Sequence, residues 1–397
     1  MSAPSLRFKE FQGDWIAKTF KEIGYFYYGK SAPKWSLDKD ATTPCVRYGE
    51  LYTKYDGIIE EIYSYTTIPR DTLKFSKGGE VLIPRVGEDP LDFSKASLLT
   101  LQNIAIGEMI SVFNTEQDGL FLVYYIRAKL TETFAMLVEG GNVSNLYYSF
   151  LEDVVIKLPE LSEQKKIAQF LSKISLRNSY LEEKLKLLHE YKRGVMQKIF
   201  TQEIRFKPKA GNLFPDWGEF AIGNVGQIVT GKTPSTADDS LWNGATPFVT
   251  PTDITSSKYQ YATGRRVVKT PKMRTIPKGS IMFTCIASIG KMSIATEECI
   301  TNQQINSIVP YDEFDSEFIY YSLLSIVDYI KSTKSSSTLP IINKTEFSKL
   351  ILKMPSKDEQ SKIAEFLSSV DKKIECLESQ IEISKQYKKG LFQQLFI

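Results

Sequence analysis

The chain has 397 residues, 42% hydrophobic and 24% charged, which fits a soluble globular protein with room for two or three domains. Its formal net charge is only +3, so a uniformly basic nucleic-acid binder is excluded and any DNA-binding charge has to be local. Four cysteines (Cys45, Cys285, Cys299 and Cys376) form no CxxC pair and have no histidine nearby at zinc spacing, which argues against a metal site, a cofactor held by one, or a disulfide framework.

The opening segment Met1–Phe11 lacks the apolar core of a leader, and no run of about 18 apolar residues follows anywhere. The expectation is a cytoplasmic protein with no membrane span. From about Phe8 to Lys157 the pattern predicts an α+β domain. Tyr25, Tyr27 and Tyr28 lead into Gly29-Lys30, with Pro33 soon after. Tyr48, Tyr52 and Tyr55 cluster around Arg47 and Lys54. Tyrosine serves phosphate contacts and base packing, and serves a β core equally well. Lys30, Tyr48, Tyr52 and Lys54 are the candidate DNA contacts of this half. Lys77-Gly78-Gly79 feeds a β-rich run, Glu80-Val81-Leu82-Ile83, and Leu120–Leu137 predicts a helix.

Pro159 introduces a long helix, with Ser162 as its expected N-cap. Ile167, Leu171, Ile174, Leu181, Leu185 and Leu188 form one apolar stripe, interrupted by Asn178. The single histidine, His189, falls on this helix; one histidine supplies no His-based metal centre, and no G-x-S-x-G elbow accompanies it.

A second α+β segment runs from about Arg205 to Lys353 and opens as the first does. Arg205-Phe206-Lys207 with Asp216-Trp217 echoes Arg7-Phe8-Lys9 with Asp14-Trp15. Gly226 to Thr233 matches the P-loop pattern letter for letter. That motif needs a strand before it and a helix after it. Gly223, Asn224 and Gly226 interrupt the first, and Pro234 with the polar run Ser235–Ser240 denies the second. The Gly231-Lys232-Thr233 turn is expected instead to offer amides and a lysine to a DNA phosphate. Lys258 to Lys278 holds seven basic residues (Lys258, Arg265, Arg266, Lys269, Lys272, Arg274, Lys278) and no acid, with Tyr259 and Tyr261 interleaved. Such side chains neutralise phosphates, and arginine grips guanine edges. Thr301-Asn302-Gln303-Gln304 clusters amides suited to adenine edges. The plain alternative is a solvated basic face beside a polar loop. Ser280–Ile286 predicts a strand and Ser316–Ile330 a helix.

Pro355 introduces a last helix, with Asp358 as expected N-cap. Ile363, Leu367, Val370, Ile374, Leu377 and Ile381 recur in alternating steps of four and three, the seam of a coiled coil. This helix repeats the earlier one. Residues 159–200 align without gaps on 355–396, an offset of 196, with 16 identities in 42 positions. Asn178 aligns with Ile374, and a polar residue in a seam often fixes register. Two matching stripes predict an antiparallel pair, with Ile167, Leu171, Leu181 and Leu188 facing Ile363, Leu367, Ile374 and Leu377. A helix of about 40 residues spans roughly 60 Å, a stiff spacer. The expected organisation is a pseudo-twofold tandem repeat: domain 1–157, helix 158–204, domain 205–353, helix 354–397.

This layout resembles the specificity subunits of type I restriction–modification systems, over essentially the whole chain. The most specific likenesses are the helix openings Pro159-x3-Glu163-Gln164-x-Lys166-Ile167-Ala168 and Pro355-x3-Glu359-Gln360-x-Lys362-Ile363-Ala364. Thr230-Gly231-Lys232-Thr233-Pro234-Ser235, Thr250-Pro251-Thr252-Asp253-Ile254, Ile289-Gly290-Lys291 and Thr301–Gln304 in the second domain are also similar, as is Arg47–Thr53 in the first. The later part of the first domain departs from that pattern, lacking the Ile-Gly-Lys and Thr-Asn-Gln-Gln matches. The resemblance implies a non-catalytic chain without a cofactor of its own. Each variable domain would read half of a split, asymmetric double-stranded target, through Lys30, Tyr48, Tyr52 and Lys54 on one side. On the other, Gly231, Lys232, Thr233, Lys258, Arg265, Arg266, Lys272, Lys291, Asn302, Gln303 and Gln304 are the candidates. The helices would space the half-sites by one DNA turn of roughly 34 Å or somewhat more. They would also dock two methyltransferase subunits that bind S-adenosylmethionine, and an ATP-using endonuclease subunit can join them. The alternatives from other classes are a P-loop nucleotide hydrolase with a coiled-coil arm and a scaffold that does not bind DNA.

Overall fold

Two helices dominate the element order: a central one, Leu161–Phe200, of 40 residues, and a C-terminal one, Lys357–Leu395, of 39. The computed structural model describes residues 4–30, 32–208, 214–334 and 341–397, so the first three residues of the segment Met1–Phe11 fall outside it. The chain divides into two compact units, residues 1–182 with 379–397 and residues 183–378. Each long helix therefore gives one half to each unit.

In the first unit a five-stranded sheet has the order Gly24–Tyr28, Ile110–Thr115, Glu80–Pro84, Ser97–Leu99, Ile58–Ile59. It is antiparallel except for the last pair. Every residue of Glu80–Pro84 is buried, as a strand covered on both faces should be. A three-stranded sheet of Ser64–Thr66, Thr43–Val46 and Ala105–Ile106 stands beside it, with a small ribbon of Glu139–Gly140, Ser144–Asn145 and Val86–Gly87. Ile16–Thr19 pairs with Val155–Leu158, the strand that leads into the central helix. The predicted helix over 120–137 is two helices, Gly119–Lys129 and Thr131–Leu137.

The second unit repeats this topology. Its five-stranded sheet runs Gly226–Thr230, Ile305–Pro310, Ile281–Thr284, Met292–Ala295, Tyr259–Gln260, again with only the last pair parallel. Its three-stranded sheet is Arg265–Val267, Trp242–Val249, Ile300–Thr301, and Gly218–Ala221 pairs with Ile351–Met354. The helix Ser316–Lys334 packs on the sheet as Gly119–Lys129 does in the first unit.

The apolar stripes are buried within the units. Ile167 and Leu171 enter the first core beside Phe121, Leu391, Leu395 and Phe396. Ile363 and Leu367 enter the second beside Phe318, Met196 and Ile199. Ile374 and Leu377 are buried, while Leu181 and Leu188 are half-buried. Partners run antiparallel in both units. In the first, Asn178 meets Ser384, whose hydroxyl donates to Oδ1 at 2.5 Å, and Glu182 pairs with Lys385 at 2.6 Å. In the second, Lys192 pairs with Asp371 at 2.6 Å and His189 lies 3.8 Å from Glu378. Asn178 thus finds a polar partner four residues before Lys388, not the aligned Ile374.

Two sequence expectations are corrected here. The helix begins ahead of the expected cap: Ser162 lies in the first turn with its hydroxyl donating to Glu160, and Asp358 is likewise inside its helix. Pro159 and Pro355 end the preceding strands, and winding starts almost at once. The P-loop reading also fails. Gly226–Thr230, which would have to curl around a phosphate, is an extended strand registered from Gly226↔Pro310 to Thr230↔Asn306. The next helical element is a single 3-10 turn, Asp239–Leu241, nine residues on. Among the described residues no helix is long and apolar enough to cross a membrane.

Candidate nucleic-acid interface

The Gly231-Lys232-Thr233 turn leaves its strand at one end of the second unit's main sheet. Gly231 N donates to Ile305 O at 3.1 Å and Lys232 N to Thr301 O at 2.9 Å. A Cβ on Gly231 would sit 2.2 Å from Thr301 O and 2.3 Å from Asn302 O, so only glycine fits this crossing. The turn is thereby locked against the amide cluster. Thr233 Oγ1 donates to Gln303 Oε1 at 2.7 Å, and Asn302 Nδ2 donates to Gln304 Oε1 at 2.9 Å. Lys232 and Gln303 are exposed, Gln304 half-buried and Asn302 buried. Lys291 is exposed at the same sheet end, since Thr284 N bonds to its carbonyl in the next ladder position after Phe283↔Met292.

Facing the turn, Thr270 to Arg274 completes a cleft of about 960 Å³ whose cationic lining is Lys232, Lys272 and Arg274. A separate concavity of about 630 Å³ is lined by Trp242, Asn243, Arg265 and Arg266. Arg265, on the edge strand, lays its guanidinium over the Trp242 and Phe248 rings at 5.4 and 5.5 Å. That stacking holds the long side chain against the two rings while it stays exposed to solvent. Arg266 is tied differently: it bonds to Ala245 O and lies 3.5 Å from Glu297. Lys269 pairs with Glu298 at 2.6 Å. The charge of the basic run is thus partly neutralised by acids that follow it in sequence.

Asp253 organises the base of this surface. It accepts from Thr250 N at 2.8 Å, Thr250 Oγ1 at 2.6 Å and Gly264 N at 2.9 Å. Burial works to raise its pKa, but the Thr250 and Gly264 hydrogen bonds and the nearby Arg265 hold it below the ordinary carboxylate value. The family-like segment Thr250–Ile254 is therefore a buttress for the strand that begins at Arg265.

Lys258 does not join its neighbours at the surface. It is 5% exposed, and its ammonium donates to Glu317 and Tyr321 at 3.1 Å and to Ser368 at 2.7 Å. Tyr321 in turn donates to Asp371 at 2.5 Å, and Asp371 pairs with Lys192. Lys258 belongs to a buried network that ties sheet, domain helix and both long helices, so a phosphate does not reach it in this arrangement. No sequence signal marked it apart from the other six basic residues.

The first unit carries the same turn. Gly29 N donates to Ile110 O at 3.2 Å and Lys30 N to Ile106 O at 2.8 Å. A Cβ on Gly29 would lie 2.1 Å from Gly107 O. Ile106-Gly107 thus holds the place of Thr301-Asn302, a correspondence invisible in the letters. Glu50 takes the place of Asp253, accepting from Arg47 N at 2.8 Å and Ser64 Oγ at 2.5 Å. Lys30 and Lys54 are exposed; Tyr48 and Tyr52 are half-buried. Tyr52 donates to Val86 O at 2.9 Å, and burial pushes its phenol well above the ordinary value. Lys54 lies 5.7 Å from the Tyr63 ring. Sequence reasoning passed over two features, Trp242 as the platform for Arg265 in the second unit and the exposed Trp35 in the first, because neither falls inside the basic run 258–278 or the tyrosine clusters.

The model for the type I restriction modification DNA specificity domain matches residues 13–190 and 215–384. The chain is 34% identical over 207 residues to the MjaIX specificity subunit of a type I restriction enzyme from Methanocaldococcus jannaschii, covering 50% of this chain and 48% of that protein. It is 36% identical over 149 residues to the HindI specificity subunit from Haemophilus influenzae, covering 36% and 32%. These matches span about half or less of each relative's length. Among solved structures, the S subunit of a type I restriction–modification system from M. genitalium is similar in fold, with a TM-score of 0.64 at 16% identity over 100% of this chain and 99% of that one. With both copies of the domain matched in tandem, the chain belongs to the family of type I restriction–modification specificity subunits.

Proposed function

We propose that this chain is the non-catalytic DNA-reading subunit of a type I restriction–modification complex, acting in the cytoplasm. Each variable domain reads one half of a double-stranded target, and the halves are unlike and separated by an unread gap. The long helices dock two methyltransferase subunits, which carry S-adenosylmethionine and the adenine chemistry; endonuclease/translocase subunits join where the system has them.

One observation carries this reading: both units present the same glycine-locked Gly-Lys turn, at Gly29-Lys30 and Gly231-Lys232, amid different surrounding side chains. A shared phosphate contact positions each domain, and unshared neighbours read different bases. On the second unit, Lys232, Lys272, Arg265, Lys291, Gln303 and Gln304 are the proposed contacts; on the first, Lys30, Lys54 and the edges of Tyr48 and Tyr52. Methylome sequencing of a host lacking and then regaining this gene tests the proposal. A two-part methyl-adenine motif that vanishes and returns is the expected result; an unchanged methylome overturns it.

A further inference from the structure

We propose that Trp35 packs its indole against the DNA of the half-site read by the first unit, next to Lys34; this rests on the reading above. Trp35 is 79% exposed, and among the described residues no large hydrophobic side chain is more so. A tryptophan exposed on this scale contributes almost nothing to a core, so its broad apolar face is available to a partner.

The turn that carries it is rigid. Lys34–Ser36 forms one 3-10 turn, and Ser36 is buried. Ser36 Oγ lies 2.7 Å from Pro33 O and 2.8 Å from Thr66 Oγ1. Its carbonyl accepts from Thr67 N at 2.9 Å and Thr67 Oγ1 at 3.1 Å. The anchor is thus the residue beside Trp35, and the indole itself is free to face outward at little entropic cost on binding. The same three-stranded sheet holds both flanks: the Lys34–Ser36 turn hangs from Ser64–Thr66, and Lys30 N bonds to Ile106 on the opposite edge strand. Residues 29–40 hold Lys30, Lys34 and Lys39 against Asp38 and Asp40, a slight excess of positive charge.

The second unit makes the contrast. Its equivalent turn, Asp239–Leu241, closes in the same way but puts Ser240 at the tip beside Asp238 and Asp239. Its tryptophan, Trp242, is folded back under Arg265 with Nε1 donating to Ser235 O at 3.0 Å. One scaffold therefore carries an apolar reader in one unit and an arginine reader in the other. In a duplex the base faces are stacked on one another, so a flat aromatic surface suits a sugar or a thymine methyl in a groove.

The test uses the full chain assembled with its methyltransferase, on duplexes carrying the motif that the methylome defines. Trp35→Ala should weaken binding about tenfold, the scale on which one buried aromatic interface contact counts, and Trp35→Phe should recover most of it. In cells, Trp35→Ala should relax or lose one half of the motif and leave the other intact. Binding by Trp35→Ala within twofold of the parent, with an unchanged motif, overturns the assignment while leaving DNA reading intact. Loss of the methyltransferase from the Trp35→Ala complex also overturns it, making Trp35 a protein contact. Absence of any motif with the parent chain overturns both this and the function it rests on.

Discussion

The guanidinium of Arg7 forks onto the fully buried carboxylate of Glu163, Nε to Oε1 at 2.8 Å and Nη2 to Oε2 at 2.7 Å. Arg205 repeats the fork on buried Glu359 at 3.2 and 2.8 Å. The neighbouring amides are equally occupied. Gln164 accepts from Asp118 N and donates to Pro159 O; Gln360 accepts from Asp315 N and donates to Pro355 O. Asp118 and Asp315 themselves cap the domain helices. The Pro-x3-Glu-Gln opening thus welds each long helix to the domain ahead of it.

Removing either arginine strands a buried carboxylate. Arg7→Ala should cost the first unit about 3 kcal/mol, read as a shift in urea midpoint. Arg205→Ala should cost the second unit less, because Trp217 Nε1 also donates to Glu359. Equal midpoints for Arg7→Ala and the parent chain would show the fork to be dispensable.

Arg265 and Arg266 are adjacent but differently held, so their alanine variants should separate. Arg265 rests on two rings and is exposed, whereas Arg266 is already bonded to Ala245 and near Glu297. Arg265→Ala should lower the affinity of the assembled complex for its site by about 1–3 kcal/mol, the worth of one good base contact. Arg266→Ala should have the smaller effect. Titrations at two salt concentrations check this; a larger loss for Arg266→Ala reverses the assignment.

Gly231→Ala and Gly29→Ala test the shared turn. The added methyl meets carbonyl oxygens at 2.2 and 2.1 Å, backbone that cannot swing aside. Each substitution should displace its turn and weaken DNA binding for every sequence alike, because the lysine and amides would lose their aim at phosphate. Unchanged affinity with both variants folded would detach these turns from the interface.

Much of this architecture was legible beforehand. The 196-residue offset exposed the duplication, and the period of the stripes exposed the helices. What stayed hidden was long-range pairing. Lys258 looked like Arg265 or Lys272 by letter, and only the fold sets Glu317, 59 residues away, beside its ammonium. The equivalence of Ile106-Gly107 to Thr301-Asn302 lies in backbone hydrogen bonds, which side-chain letters do not encode. The echo of Arg7-Phe8 in Arg205-Phe206 was visible, but its partner glutamates, about 155 residues on, were not.

Asp253 should give the second unit an acid-sensitive step. Its folded pKa lies below the ordinary value, so its contribution is fully present above about pH 4 and fades as pH falls through the folded value. Asp253→Asn removes that dependence and also forfeits the charge-assisted bonds from Thr250 and Gly264. The variant should be less stable than the parent at pH 7, and the gap should narrow on acidification toward pH 3. A gap that widens with acid would mean the carboxyl is protonated at neutrality.

Ile374 and Leu377 address the helix pair itself. Both are buried on the C-terminal helix within the second unit, three turns on from Ile363 and Leu367 in the domain core. Aspartate at both positions would bury unpaired charge, which proteins avoid by separating the elements that enclose it. Since Ile363, Leu367, Met196 and Ile199 remain to hold the helix ends in the core, the expected outcome is local opening. Hydrogen exchange should quicken in residues 368–378 and 183–195 while amides of the strands Ile281–Thr284 and Ile305–Pro310 stay protected. Methyltransferase co-purification should fall with it. Uniform loss of protection through the sheet would mean that the helix pair and the domain unfold as one, and that the seam cannot be opened without the head it carries.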